Sequence, residues 1–245
     1  MRQFSLNGSQ LKIIALIAMT MDHIAWAIWP GYPRQWYILA IHGLGRLAAP
    51  VFWYFIVEGY FHTRNFRRYA SRLFVCALVG HFAYNFAFGI PFLPFQTSVF
   101  NQTSVLWSLF WGLMGLWVCR NDALRQWQKV LLVMAIAAVS FCADWSSVAV
   151  MAILEIGEHR GSFRRQMVGM MAWILVYAVI YSVFLDAVYG ALQVLAVFAV
   201  PLLRRYNGQR GSLRGTKWLF YWYYPLHLVF CGLLRLAMHG GGTGI

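Results

Sequence analysis

Long apolar stretches alternate with short polar loops along the whole of this 245-residue chain. A membrane-spanning helix needs about 20 mainly apolar residues, and nine stretches approach or reach that length. They are 12–29, 37–61, 71–90, 103–119, 129–143, 145–157, 167–185, 187–203 and 217–237. The sixth stretch is short and is predicted to be tilted, broken or re-entrant. The pattern predicts an all-α, polytopic membrane helix bundle of about nine transmembrane segments, in a single domain over residues 1–245.

Basic residues are concentrated on alternate loops of this pattern. Of the 20 Lys and Arg, 17 lie near the N-terminus or in the loops 62–72, 120–129, 158–166 and 204–217. Arg34 lies on the other set of loops, and Arg46 and Arg235 lie within apolar stretches. Because Lys and Arg on short loops are retained in the cytoplasm, the pattern predicts a cytoplasmic N-terminus and a multi-pass protein of the bacterial inner membrane.

Composition agrees with a chain embedded in a lipid bilayer. Charged residues make up 11% of the sequence and hydrophobic residues 61%, whereas a soluble domain has about 25% charged residues. A net charge of +13 favours nucleic-acid binding in a soluble protein. Here the alternating loops account for the charge, so no nucleic-acid partner is predicted. The four cysteines are scattered without metal-ligand spacing, so no metal site is predicted either.

Several polar residues fall within the predicted spans at a similar depth. Asp22 and His23 lie in the first span, Arg46 in the second and His227 in the ninth, and Asp144 begins the sixth. A charge inside the bilayer costs a few kcal/mol or more unless it is paired, so Asp22 is predicted to pair with Arg46. The cost of two adjacent polar residues in an apolar helix favours a functional role for Asp22 and His23.

Four further polar residues allow a plainer interpretation. His81 and Asn85, spaced i and i+4 in the third span, are predicted either to contact substrate or to be ordinary buried hydrogen-bonding residues. His42 is expected to be solvated near the outer interface. Arg235 is expected to extend its guanidinium to the interface, as long basic side chains do at span ends.

A second polar group lies at the cytoplasmic end of the second span and in the loop after it. Its members are Glu58, His62, Arg64, Asn65, Arg67 and Arg68. The planar guanidinium of Arg matches pairs of phosphate oxygens, so this group is predicted to hold a ligand that carries phosphates. The alternative is that the arginines only set the membrane topology.

Four segments resemble the TraX family. They are KIIALIAMTMDHI (12–24), GRLAAPVFWYFIVEGYFHTRNFRRYASRL (45–73), the DW step at 144–145 and FYWYYPLHLVF (220–230). The resemblance covers nearly the whole chain. It implies an integral inner-membrane acetyltransferase that uses acetyl-CoA as donor, with the N-terminal amine of conjugative pilin, or another amine presented at the membrane, as acceptor. The positions that match the family are Asp22, His23, Arg46, Glu58, His62, Arg64, Asn65, Asp144 and His227.

Amide formation from a thioester needs a base, a group that stabilises the oxyanion and a hold on the donor. His23 is the first candidate for the base, oriented by Asp22, with His227 as the second candidate or a partner. Arg46 is expected to stabilise Asp22 or the oxyanion, and Asp144 joins this catalytic group. Direct transfer and an acetyl-histidine intermediate both fit.

Two other functions fit parts of the sequence. A transporter or proton-coupled permease also places His, Asp and Arg inside the membrane, although no internal repeat is visible. A non-catalytic pilus assembly factor is the third possibility. The sequence leaves the acceptor and the oligomeric state open.

Overall fold

The structure is a computed structural model that describes residues 5–96, 98–211 and 216–240. Within these ranges the chain is built from helices, with two isolated β-bridges, Leu6–Tyr206 and Thr103–Ala143. The helices are α1 (Gly8–Ile28), α2 (Trp36–Gly45), α3 (Ala48–His62), α4 (Phe66–Phe88), α5 (Val105–Cys119), α6 (Gln126–Ser140), α7 (Ser146–Glu158), α8 (Phe163–Phe184), α9 (Ala187–Gln193), α10 (Ala199–Arg204) and α11 (Thr216–His239). A 3-10 segment, Val194–Phe198, joins α9 to α10. The predicted all-α fold is confirmed.

Four helical segments of the described chain are long and apolar enough to cross a membrane. They are Gly8–Ile28, Trp36–His62, Phe163–Phe184 and Ala187–Arg204. Two of the four are interrupted. Trp36–His62 comprises α2 and α3 with a turn at Arg46 and Leu47, and Ala187–Arg204 contains the 3-10 segment between α9 and α10.

The short sixth stretch of the sequence forms α7, at the centre of the bundle. Its 13 residues extend about 20 Å, which is less than the roughly 30 Å hydrocarbon core of a bilayer. Ala149, Val150, Ala152, Ile153 and Ile156 have no exposed surface. Helices α3, α5, α6 and α8 all pack against α7. A helix with apolar side chains on most of its faces is stable only when its neighbours enclose it in this way.

Polar side chains at the helix ends explain where several helices begin. Asn7 and Gln10 form a reciprocal capping box at α1, in which the Asn7 Oδ1 accepts from the Gln10 N–H at 3.0 Å. Asn65 caps α4 by accepting from the Arg68 N–H at 2.9 Å, and Asp186 caps α9 in the same manner. Such caps satisfy N–H groups that have no partner inside the helix. They fix the positions at which the chain leaves its loops.

Helices α1 and α11 run in the same direction. Thr20 contacts Tyr223 near their middle, and Ile28 accepts a hydrogen bond from His239 at their ends. Helix α4 runs parallel to α11 as well, since residue pairs in contact keep a nearly constant separation in sequence. The charge pattern of the loops predicts this relative direction for the first, third and ninth spans.

The loops rich in basic residues meet at one end of the bundle. The Leu6 N–H donates to the Arg205 carbonyl at 2.8 Å, and Arg160 lies 3.8 Å from Glu58. We call this the basic end; residues 212–215 of the 204–217 loop, including the predicted basic position Arg214, lie outside the described residues. The opposite end contains the loop residues 29–35, 89–96, 98–104, 141–145 and 185–186.

Arg235 differs from the prediction that its guanidinium extends to the interface. The side chain is buried, with 6% of its surface exposed, and its Nε donates to the Ala87 carbonyl at 3.1 Å. Ala87 is in the last turn of α4, where carbonyl groups lack a partner within the helix. A cation is also favourable at the negative end of the helix dipole. The interaction therefore fastens α11 to the end of α4, and the prediction is wrong.

Candidate active site

Asp22 is the centre of a buried polar cluster between α1 and α2. Only 4% of its surface is exposed. One carboxylate oxygen accepts a hydrogen bond from the His42 Nδ1 at 2.7 Å, and the other forms a close ion pair with the Arg46 guanidinium. Arg46 also donates to the His42 carbonyl at 3.2 Å. The predicted pairing of Asp22 with Arg46 is confirmed, and His42 is a third member of the cluster.

The close approach of α1 and α2 depends on Gly45. A Cβ atom at this position would collide with the Cβ and Cγ atoms of Asp22. The helix then turns at Arg46 and Leu47 before α3 begins at Ala48. Pro50 lies in the first turn of α3, where a missing N–H costs no hydrogen bond. The local sequence thus ends one helix beside Asp22 and starts the next.

His42 is not solvated near the outer interface, so that prediction is wrong. Only 1% of its surface is exposed, and its Nε2 is buried without a hydrogen-bond partner in the described chain. His42 lies one turn before Arg46, so both side chains occupy the α2 face that is turned toward Asp22. Trp26 and Tyr189 pack against its ring, with centroids at 4.6 and 5.3 Å. The i, i+4 spacing to Arg46 was the sequence signal for this contact.

Two successive hydrogen bonds join His23 on α1 to the backbone of α11. The His227 Nδ1 lies 3.0 Å from the Tyr223 carbonyl, and the His227 Nε2 lies 2.8 Å from the His23 Nδ1. A carbonyl only accepts, so the His227 Nδ1 carries the proton. In neutral His227 the Nε2 is then an acceptor, and the His23 Nδ1 donates to it. The lone pair of His23 is left on Nε2, which has no partner among the described residues.

His23 lines a cavity of about 160 Å³ near the opposite end of the bundle. Asp22, Arg46 and Asp144 line the same cavity, so four of the predicted catalytic residues share one space. Its other lining residues, which include three tyrosines, are Trp26, Tyr32, Tyr84, Phe88, Ile90, Ser98, Phe100, Asn101, Gln102, Tyr181 and Leu185. His227 does not line the cavity, but it is hydrogen-bonded to His23, which does.

Asp144 is presented to the cavity by a strained turn. The two residues after it, Trp145 and Ser146, have φ values of 63° and 51°, in the left-handed region that non-glycine residues rarely adopt. The Asp144 N–H donates to the Thr103 carbonyl at 2.8 Å, and the Ser108 hydroxyl donates to the Ser146 carbonyl at 3.0 Å. Desolvation raises the pKa of the Asp144 carboxyl to about 6, although Arg46 acts in the opposite direction.

The loop 98–102 covers one side of the cavity. Gln102 is buried, and its side-chain amide donates to the Phe100 carbonyl at 2.8 Å. Its Oε1 is buried without a partner in the described chain, so it is available to a donor inside the cavity. Asn101, with φ at 53°, turns the chain back toward α5. Sequence reasoning missed both residues because the loop has no charge or motif.

His81 and Asn85 hold the preceding part of this loop against α4. The His81 Nε2 donates to the Phe92 carbonyl and the Asn85 Nδ2 to the Pro91 carbonyl, each at 2.8 Å. Neither residue lines the cavity. Of the two predicted roles, substrate contact or structural hydrogen bonding, the geometry favours the structural one.

The predicted phosphate-binding group lies at the basic end, away from the cavity. Glu58 is 12 residues beyond Arg46, a distance of about 18 Å along the helix. His62 lies 3.7 Å from the Glu58 carboxylate, and Arg160 lies 3.8 Å from it and covers the Phe61 ring. These contacts give Glu58 a local structural partner on two sides.

The remaining members of that group are in the turn between α3 and α4 and in the first turn of α4. Asn65 is the cap of α4, as described above. Arg64, Arg67 and Arg68 are exposed and form no ion pair within the described chain. Their guanidinium groups are therefore accessible to an anion from the solvent at the basic end.

The cavity combines the groups that a proton-transfer reaction requires. It has an unpartnered imidazole nitrogen on His23, a carboxyl on Asp144 and a guanidinium on Arg46, and His23 is buried with 7% of its surface exposed. In such surroundings charges interact more strongly than in water. In the described residues no three His, Cys, Asp or Glu side chains come together as a metal site.

Fold and cavity together define a helical membrane protein with a polar site enclosed in its bundle. The chain belongs to the TraX family, because the family model described as TraX protein matches residues 7–235. It is also 26% identical over 239 residues to a protein named probable fimbrial assembly protein FimC, serogroup H1, from Dichelobacter nodosus. That alignment covers 93% of this chain and 95% of the relative. No solved structure matches.

Proposed function

We propose that this protein is a multi-pass inner-membrane acetyltransferase that transfers the acetyl group of acetyl-CoA to the N-terminal amine of a pilin. The observation that carries the proposal is the chain from the Tyr223 carbonyl through His227 to His23. It leaves the Nε2 lone pair of His23 without a partner in a cavity that also contains Arg46 and Asp144. The TraX membership and the name of the fimbrial relative favour pilin as the acceptor.

Asp144 and Gln102 are suited to receive the acceptor. A carboxylate attracts the ammonium form of an amine, and the unpartnered Gln102 Oε1 accepts one of its N–H groups. Both residues belong to the opposite end of the bundle, which the topology predicted from the charge pattern places outside the cytoplasm. The acceptor amine then enters the cavity from the side away from the cytoplasm.

His23 and Arg46 are suited to the chemical step. The bound ammonium first gives one proton to the Asp144 carboxylate, which leaves a neutral amine with a free lone pair and later releases that proton to solvent. His23 Nε2 then takes a second proton from the amine nitrogen as that nitrogen forms its bond to the thioester carbonyl carbon. Arg46 stabilises the negative charge on the carbonyl oxygen, with its position fixed by Asp22 and His42. When the carbon–sulfur bond breaks, His23 returns the proton to the thiolate. The products are the acetylated amine and the free thiol.

The donor is proposed to bind through its phosphates at the basic end. Arg64, Arg67 and Arg68 provide exposed, unpaired guanidinium groups for this purpose. The acetyl group must then reach His23 through the interior, along the length of α3. This arrangement separates donor and acceptor on the two sides of the bundle and keeps water from the thioester.

The test is acetyl transfer by the purified protein in lipid nanodiscs. Labelled acetyl-CoA and a peptide with the N-terminal sequence of the cognate pilin are incubated together, and mass spectrometry locates the acetyl group. Transfer to the free N-terminus, absent with an N-terminally blocked peptide and with His23→Ala, is the expected result. Peptide binding without any transfer would overturn the proposal in favour of an assembly factor.

A further inference from the structure

A second concavity lies between α4 and α11, on the outer surface of the bundle. Its volume is about 270 Å³, and none of its lining residues lines the cavity around His23. The lining residues are Ser71, Arg72, Val75, Cys76, Val79, Tyr221, Trp222 and Pro225. We call this concavity the α4–α11 groove. The surface that its walls expose is apolar, and Arg72 lies at one end.

Pro225 shapes the inner wall of this groove. Proline has no N–H, so the Tyr221 carbonyl one turn earlier loses its helical donor. The Cys76 thiol donates to that carbonyl at 3.4 Å and links the two helices at this point. Val75 and Val79 on α4 and Trp222 on α11 remain 58%, 44% and 60% exposed. The groove therefore opens sideways, toward the hydrocarbon that would surround the bundle.

Arg72 closes the end of the groove that is nearer the basic end. Its Nε atom is buried and has no hydrogen-bond partner in the described part of the chain. Arg72 lies about 9 Å along α4 from Phe66, and Val79 lies about 10 Å further. The exposed arginines 64, 67 and 68 precede it on the same side of the bundle. The order along the helix is a positive group followed by an apolar channel.

We propose that the α4–α11 groove binds an anionic phospholipid, with its phosphate on Arg72 and one acyl chain along Val75 and Val79. A phospholipid presents a negative group and an apolar chain in this order. At about 270 Å³ the groove is below the roughly 300–1,000 Å³ of sites that enclose a whole small molecule. It suits a segment of one acyl chain better than a helix of a partner protein.

The groove adjoins the part of α11 that orients the histidine pair. Tyr221 and Pro225 line it, and the Tyr223 carbonyl between them accepts from His227. A lipid bound here supports α11 at the level of this carbonyl. The binding proposal itself does not depend on acetyl transfer, and its test measures lipid binding.

The experiment is native mass spectrometry of the protein, titrated in mild detergent with phosphatidylglycerol or phosphatidylcholine of equal chain length. Tighter binding of phosphatidylglycerol, by about tenfold or more, is expected for the unaltered protein. Arg72→Gln should remove that preference, and Arg72→Lys should keep most of it. Val79→Trp, which fills the groove, should weaken binding of both lipids.

Matched controls are Arg164→Gln at the basic end and Val179→Trp on the outer face of α8, both exposed and distant from the groove. They should behave like the unaltered protein, with circular dichroism confirming the helical content of every variant. Equal binding of both lipids, or an unchanged preference in Arg72→Gln, would overturn the proposal. Displacement of phosphatidylglycerol by inorganic phosphate at equal concentration would also overturn it, because the occupant would then be a phosphate without a chain.

Discussion

The Nδ1 atom of His42 lies 2.7 Å from a carboxylate oxygen of Asp22, and neither residue has more than 4% of its surface exposed. Arg46 approaches the other oxygen of the same carboxylate. Asp22 is therefore held by two donors from one face of α2. Among the described residues Asp22 forms no hydrogen bond with His23. The main effect of Asp22 is therefore to fix the position of Arg46.

Removal of His42 should impair the site although the side chain does not line the cavity. His42→Ala deletes a hydrogen bond to a charged group, worth about 1.5–3 kcal/mol, and leaves a buried carboxylate oxygen unsatisfied. We expect acetyl transfer to fall at least about tenfold, with a lower melting temperature. His42→Gln, which keeps a donor, should recover part of the loss.

The control for this prediction is His159→Ala at the basic end. His159 pairs with Glu155 at 3.1 Å and is remote from the cavity. It should leave transfer and melting temperature close to those of the unaltered protein. Normal transfer by His42→Ala would show that Arg46 keeps its position without this contact.

His23 and His227 should differ in the size of their effects. Removal of the base from a proton-transfer step costs a factor of about 10²–10⁴, so His23→Ala should lose detectable acetylation. His227→Ala should retain more activity, because it deletes only the residue that fixes the His23 tautomer. The measurements are turnover in nanodiscs and NMR of the imidazole nitrogens. If His227→Ala is inactive and His23→Ala remains active, the base is His227.

The Asp144 carboxyl should make binding of the pilin peptide weaker at acidic pH. With its pKa raised to about 6 by desolvation, it is protonated below that pH and loses its attraction for the acceptor ammonium. The KM for the pilin peptide should rise as the pH falls from 7 to 5, in about the range of this titration. Asp144→Asn should show a high KM at every pH. A variant with an unaltered pH profile would exclude this role.

The same raised pKa gives a prediction about stability. Burial raises the pKa of the folded-state carboxyl above the ordinary value of 3.8, so the folded state binds the proton more tightly than the unfolded state. The tighter proton binding of the folded state therefore stabilises the fold fully below pH 3.8. This contribution to the free energy of unfolding is lost as the pH rises through about 6. Thermal melts at neutral pH should therefore show Asp144→Asn to be more stable than the unaltered protein, with the difference disappearing near pH 4.

Gly45→Ala should separate α1 from α2. The added methyl group meets the Cβ and Cγ atoms of Asp22, which are close to the backbone and cannot move away easily. We expect a loss of roughly 1–3 kcal/mol in stability and a large loss of transfer. Gly115→Ala is the matched control, since its Cβ would meet the flexible end of Leu154 at 3.1 Å. Equal effects of the two substitutions would contradict the prediction.

Arginines at the basic end should affect donor binding rather than chemistry. Replacement of Arg64, Arg67 and Arg68 by Gln should raise the KM for acetyl-CoA, with each lost phosphate contact worth about 1.5–3 kcal/mol. Turnover at saturating donor should change little. Arg164→Gln and Arg165→Gln, exposed in the first turn of α8, serve as controls for the loss of positive charge at the basic end. An unchanged KM in the triple variant would leave these arginines with a topological role only.

Hydropathy and charge, read along the chain, determined the all-α class, the helical segments and the grouping of basic loops at one end. These are local properties, since an apolar stretch must satisfy its backbone within itself in lipid. The pairing of Asp22 with Arg46 also followed from the sequence, because an unpaired charge inside the membrane is too costly.

Only the tertiary structure decided which polar residues share the cavity and which do not. His42 and Arg235 were both expected near water, yet both are buried, because their surroundings depend on how far each helix is rotated and which carbonyls its neighbours leave free. The contact at Gly45 sets how α2 faces α1, and the hydrogen bond from Arg235 to the Ala87 carbonyl belongs to the packing of α11 against α4. The spacing of residues along one helix cannot report the relation between two helices, and that relation is what brings Asp22, His23, Arg46 and Asp144 around one cavity.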